Sequence, residues 1–362
     1  MVTASRIAIA RQRRGLTASG LASEIGVARQ TVAAWETGAQ NPTRDNVRVL
    51  AAALSFPVEF FQGSDVEGFP LGAVSFRAMS KMTAGTRDAA LAAGRIALLI
   101  NEWLEARFQL PRPDVPTLGL QSPETAAEMV RTRWGLGYAP IPNMVHLLES
   151  KGVRVFSLPP ECRSVDAYSL RWFDTPVVVL TPGKSSERRR FDLAHELGHL
   201  VLHAEQEGFQ GPTAEREANR FASAFLMPRR ALLARPLRNA SLDAILRERT
   251  RWKVAAMALT YRLKELGFLS DWEYRHHCVA LSRLGYRRAE PGGCPGETSL
   301  LLAKVLQALR AKKILLADVA AELNITYDEL AQHLAELVVM PVATDDMQSA
   351  PTPRGTGHLR LA

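Results

Sequence analysis

Cysteine is scarce: three residues, Cys162, Cys278 and Cys294, stand in a chain of 362 with no CxxC spacing. An odd and scattered set excludes a disulfide framework and a cysteine-built zinc ribbon, so the thiols are expected to be reduced and structurally incidental. Long apolar runs are missing as well. No stretch offers eighteen uncharged apolar residues, and no membrane span is expected. The amino terminus passes from Met1 into Arg6, Arg11, Arg13 and Arg14 without the apolar core and cleavage site of a secretory signal. A cytoplasmic location is the expectation. There is no internal repeat of solenoid length.

What is present is an ordinary globular balance, 47% hydrophobic and 23% charged residues, in a chain long enough for two or three domains. The formal net charge is +8 and the pI near 9.7, which suits a polyanionic partner because lysine and arginine that neutralise phosphates release counterions. Basic charge adds weight only to a motif that already points there.

The fold class expected is α+β and mainly helical. Residues 1–65 read as a five-helix module punctuated by Gly15, Gly26 and Gly38. Residues 66–122 read as a linker with one long helix from Thr83 to Leu110, stopped by Pro111 and Pro113. A third unit, 123–270, begins with two amphipathic helices up to Ser150, in which Trp134, Leu136, Ile141 and Leu147 are core candidates. Val153–Leu158, Ala167–Trp172 and Val177–Leu180 follow as β-rich segments, a small sheet ahead of a helix from about Ser185. Long helices over Leu242–Leu266 and Thr298–Leu337 suggest a helical lobe, 271–343, and the polar, proline- and glycine-containing residues 344–362 an unstructured tail.

In the first module Leu16, Leu21, Ala22 and Ile25 form an apolar stripe, Gly26 permits a sharp turn, and Val27 and Val32 contact the next helix. This is helix-turn-helix spacing. The second helix opens with Arg29, Gln30 and Thr31, which can reach base edges or phosphates when a helix enters the major groove of double-stranded DNA end-on. Trp35 is expected in the core, and Glu36 paired with Arg11. Ala28 offers no side-chain cap to that helix, a loss of roughly 1 kcal/mol.

His195-Glu196-Leu197-Gly198-His199 sets two imidazoles at i and i+4, about 6 Å apart on one helix face, as two ligands of one Zn2+ require. Glu196 then lies beside the open coordination position, where a carboxylate can take a proton from metal-activated water and deliver it to a leaving amine. Downstream, Glu215 and Asn219 are again i and i+4. Glu215 is the candidate third ligand and Asn219 the support of a ligand histidine, with Glu217, on the opposite side of that helix, ranked second as ligand. His203 continues the series but lies about 12 Å along the helix from His195, too far to close a tetrahedral site. It is read as structural or cleft-lining. A tyrosine, histidine or arginine could serve a developing oxyanion, and His203 and Arg190 are merely nearby in sequence. His276 and His277 beside Cys278 are read as a surface pair.

Two resemblances extend these readings. Arg11 to Gly15, Leu21-Ala22, Gly26-Val27, Thr31-Val32, Trp35-Glu36-Thr37-Gly38 and Pro42 together resemble the Cro/cI-like (XRE) repressor family over about 60 residues, which implies a homodimer on a palindromic operator. The run from Arg190 to His203, with Glu215 to Ala222 and Leu226-Met227-Pro228, closely resembles the ImmA/IrrE family of metallopeptidases. That resemblance implies a glutamate-type zincin with Glu215 as third ligand, which cleaves a helix-turn-helix repressor and so derepresses stress or mobile-element genes. The fusion leaves three readings open: cleavage of a separate repressor, cleavage of its own linker, or a regulator on an operator whose zinc domain mainly senses something. In the last case the chain is a non-proteolytic regulator or antitoxin-like protein with a structural or sensory zinc site. DNA is a possible effector of the peptidase. An edge strand before the HExxH helix would suit an extended polypeptide substrate.

Overall fold

The computed structural model describes residues 1–66, 68, 83–203 and 211–339. The tail assigned to 344–362 and much of the segment that joins the first module to the long helix lie outside the described residues.

Four α-helices and a 3-10 helix, Val58–Gln62, build the first module: α1 (Ala4–Arg13), α2 (Ala18–Ile25), α3 (Arg29–Glu36) and α4 (Arg44–Leu54). The fifth element is thus 3-10, held by Pro57, whose fixed φ suits a first turn. Thr17 and Thr43 cap α2 and α4 by accepting from the backbone N–H groups of Gly20 and Asn46. Gly26 ends α2 at φ 72°, in the left-handed region, which lets the chain turn within two residues into α3. Ile7, Leu21, Val32, Trp35, Leu50 and Phe60 fill the centre, while Leu16 and Ile25 are only half-buried against it. Arg11 donates to both carboxylate oxygens of Glu36, at 2.5 and 2.8 Å. This tie, expected from sequence, locks α1 to the end of α3 by a bidentate pair.

α5 (Ala84–Glu105) starts at its Thr83 cap but stops five residues short of Leu110. It is no free spacer, since it packs along α1. α6 (Pro123–Arg133) and α7 (Met144–Ser150) follow, and here Trp134 and Ile141 are buried as expected. Leu136 and Leu147 are only half-buried; the face of α7 that meets the core carries Met144, Val145 and Leu148 instead.

The sheet has the order β1-β3-β2 among the described residues, from β1 (Arg154–Ser157), β2 (Tyr168–Trp172) and β3 (Thr175–Leu180). Central β3 runs parallel to β1 and antiparallel to β2, with Val178 opposite both Val155 and Ser169. Val177, Val178 and Val179 are fully buried, each worth roughly 1.5–3 kcal/mol of apolar burial. α8 (Ser186–Leu202), capped by Ser185, lies across β2 and β3, and α9 (Pro212–Leu226) packs on α8 and α6.

The remaining elements are α10 (Arg229–Leu233), α11 (Leu242–Trp252), α12 (Ala256–Glu265), α13 (Asp271–Arg283), α14 (Leu300–Ala311), α15 (Leu316–Glu322) and α16 (Tyr327–Leu334). The two long carboxy-terminal helices expected from periodicity are broken. Lys253, at φ 53°, separates α11 from α12, and Lys313 and Asn324, at φ 59° and 55°, interrupt the run to Leu337. The architecture is mainly helical α+β, and no helix among the described residues is long and apolar enough to cross a membrane.

Candidate metal centre

α8 and α9 make the site by lying unusually close. A Cβ built on Gly198 would sit 3.1 Å from Phe221, 3.2 Å from the Ala218 Cα and 3.3 Å from the Ala218 carbonyl oxygen. These neighbours are a packed ring and a helix backbone, which cannot swing aside as a flexible chain end would. The absent side chain at Gly198 is what lets α9 bring Glu215 against His195 and His199. Gly198→Ala is therefore expected to cost about 1–3 kcal/mol of overpacking against about 1 kcal/mol of helix propensity gained, a net loss read by chemical denaturation.

His195 Nε2 and His199 Nε2 are 3.1 Å apart, and Glu215 places its carboxylate oxygens 3.3 Å from the first and 3.2 Å from the second. A tetrahedral ion with bonds of 2.0–2.1 Å separates its ligand atoms by about 3.3 Å, so the two imidazole nitrogens and the two carboxylate oxygens facing them already stand at spacings suited to zinc ligands. Among the described residues this is the only cluster of three such ligands. Burial pushes the His199 imidazole down to about 4, which leaves it neutral at pH 7 with a lone pair to give. Burial pushes the Glu215 carboxyl up, but its contacts with the His195 and His199 rings outweigh that and hold the group well below the usual carboxylate range. Two imidazoles and one carboxylate fit a divalent cation of borderline softness.

His195 Nδ1 lies 3.1 Å from Asn219 Oδ1, an acceptor that selects the tautomer with Nε2 unprotonated. Glu196, 2% exposed, accepts a 2.7 Å hydrogen bond at Oε2 from Ser169 of β2. Sequence reasoning missed Ser169, since a lone serine in a strand carries no signal of what lies across it. The expected opposite orientation of Glu217 is corrected: its Oε2 reaches His203 Nε2 at 3.1 Å, because a long side chain can wrap past the end of α8. His203 closes that helix, and its Nδ1 lies 2.9 Å from His199 Nδ1. Arg190 is no oxyanion donor. It is 1% exposed and bound to Glu297 and to the Ile141 and Lys253 carbonyls. His277 is likewise no surface residue, being buried against the Ala240 carbonyl, while His276 stacks on Trp272. On the far side of Asn219 and Glu217 from the ligands, a cavity of about 660 Å³ is lined also by Phe191, Met257 and Tyr261, with Arg216, Arg220 and Glu265 as charged groups.

At the other end of the chain α3 starts at Ala28 with no side-chain cap, as its sequence requires. Arg29 and Gln30 are exposed on its first turn and Thr31 is half-buried.

Comparison with known proteins agrees with both ends. Residues 148–264 match the family model of the IrrE N-terminal-like domain, a peptidase domain, and residues 7–61 that of a helix-turn-helix domain. No curated protein matched the chain. The first match spans the sheet and the helices that carry His195, Glu196, His199, Glu215 and Asn219, and the second spans all of α2, α3 and α4. The chain thus joins an XRE-type helix-turn-helix DNA-binding domain to a metallopeptidase domain of the ImmA/IrrE family.

Proposed function

We propose that the protein is a zinc-dependent endopeptidase tethered to operator DNA, which cleaves a repressor-like protein or its own chain. The observation that carries this reading is the convergence of two histidine nitrogens and a carboxylate at 3.1–3.3 Å, with Glu196 next in sequence to a ligand. In this reading residues 1–65 bind DNA, 123–270 hold the peptidase and 271–343 form a supporting lobe. His195, His199 and Glu215 hold the metal and Asn219 orients His195. Bound there, zinc supplies Lewis acidity that makes water nucleophilic near neutral pH and polarises a peptide carbonyl. Glu196, steadied by Ser169, takes a proton from the attacking water as the C–O bond forms, then gives it to the amide nitrogen as the C–N bond breaks. The cavity beside Asn219, with Phe191, Met257 and Tyr261 on its walls, suits an apolar or aromatic side chain of a polypeptide. The test is Glu196-dependent appearance of fragments when the chain is co-expressed with the proteins encoded beside it.

The exposed Arg29 and Gln30 are the proposed contacts to base edges, with Thr31 behind them. Replacing both by alanine is expected to weaken operator binding about 10- to 100-fold or more, as loss of one or two good base contacts does. A gel-shift titration at fixed salt checks it. An unchanged affinity would move the readout to other residues. The dimer is expected to run at twice the chain mass in sedimentation without DNA, and at that mass plus the duplex when operator is added.

A further inference from the structure

His203 and Glu217 form a relay that ends on a metal ligand. A carboxylate only accepts hydrogen bonds, so at 3.1 Å from Glu217 Oε2 the His203 Nε2 must carry the proton. A neutral imidazole has one N–H, so His203 Nδ1 is then a lone pair. At 2.9 Å it can only accept from His199 Nδ1–H. The proton of His199 is thereby fixed on Nδ1, and its Nε2 lone pair is left facing His195 Nε2 and Glu215 Oε1, at 3.1 and 3.2 Å. Reversing either bond would put a proton on His199 Nε2 and block the site.

We propose that Glu217 and His203 are positioning residues that hold His199 in its metal-binding tautomer, the anionic counterpart of what Asn219 does for His195. The inference rests on the metal reading above. The local geometry that produces it is specific to the helix end. His203 is four residues from His199 and thus on its face, and it terminates α8 with φ −120°, where its ring is 6% exposed yet still reached by α9. A histidine read as too distant to ligate acts instead one bond further out. Such outer partners typically govern metal affinity by 10- to 100-fold.

The rival account is that the His203–Glu217 pair only staples the end of α8 to α9. Full-length apo-protein is titrated with Zn2+ against a chromophoric chelator, and apo melting temperatures are recorded in parallel, for wild type, His203→Phe and Glu217→Ala. The relay predicts zinc affinity lowered about 10- to 100-fold in both variants, with the half-exposed Glu217→Ala changing the apo melting temperature little. A staple predicts the reverse, a lower apo melting temperature at unchanged affinity, and that result overturns the inference. Should His203→Phe fail to fold, Glu217→Ala decides alone. If wild type itself binds no zinc, the metal reading fails and takes the relay with it, an outcome distinct from wild-type binding that the variants leave untouched.

Discussion

Glu196→Gln is expected to bind zinc and DNA as wild type does and to lose cleavage by about 10²- to 10⁴-fold, the range supplied by a positioned general acid–base. The substitution is close to isosteric. Its carbonyl oxygen can still accept the Ser169 hydroxyl, so α8 and β2 remain tied, but a carboxamide takes no proton from water. Metal affinity is untouched because the ligand atoms belong to His195, His199 and Glu215. Fragments are sought by mass spectrometry in co-expression with neighbouring gene products, and fragments of the chain itself are counted. The assay is repeated with single- and double-stranded DNA added, because DNA is a candidate effector of the peptidase. Cleavage that persists in the glutamine variant removes Glu196 from the mechanism. A zinc-loaded wild type that cuts nothing under any of these conditions makes the protein a regulator with a structural or sensory zinc site.

The parts legible in sequence are those written within one helical turn or one strand. The i, i+4 pairs His195/His199 and Glu215/Asn219, the Gly26 turn, the strands and even the Arg11–Glu36 tie follow from local period and a known module. What was not legible lies across elements. Gly198 matters because of Ala218 and Phe221, Ser169 because of Glu196, and Glu217 because α8 ends where it does. The breaks at Lys253 and Lys313 were hidden for another reason. Lysine favours helices, and only tertiary packing makes the left-handed conformation there worth its cost.

The clearest case of hidden long-range design is also the second large prediction. Arg13 of α1 donates from Nε to Glu329 Oε1 of α16 at 2.5 Å, with both side chains 1% exposed, and from Nη2 to Gln332 at 2.6 Å. Arg14 adds a 3.2 Å contact to Glu329 Oε2, and His333 stands 3.6 Å from Oε1 while its Nδ1 meets the Ser157 carbonyl of β1 at 3.2 Å. Nothing in the sequence joins residues 316 positions apart. The cluster anchors the DNA-binding module to the lobe that backs the sheet. Glu329→Ala leaves the buried Arg13 guanidinium with only Gln332 and, at 3.6 Å, the exposed Glu161 as partners, and the expected loss is about 3 kcal/mol, the low end for a broken buried pair, read as a fall in melting temperature of roughly 4 °C at pH 7. Arg13→Met with Glu329→Leu, which removes both charges, should recover most of it. The pH dependence gives an independent check. Burial pushes the Glu329 carboxyl up, but the neighbouring His333 ring and the charge of Arg13 outweigh it and hold the group at about 2, against 4.5 for an unperturbed one. A depressed native pKa favours the folded state fully above pH 4.5, and that advantage, roughly 3 kcal/mol, drains away as pH falls toward 2. The stability gap between wild type and Glu329→Ala should therefore be widest above pH 4.5 and narrow below it. A gap constant across that window would mean that Glu329 contributes packing and not charge.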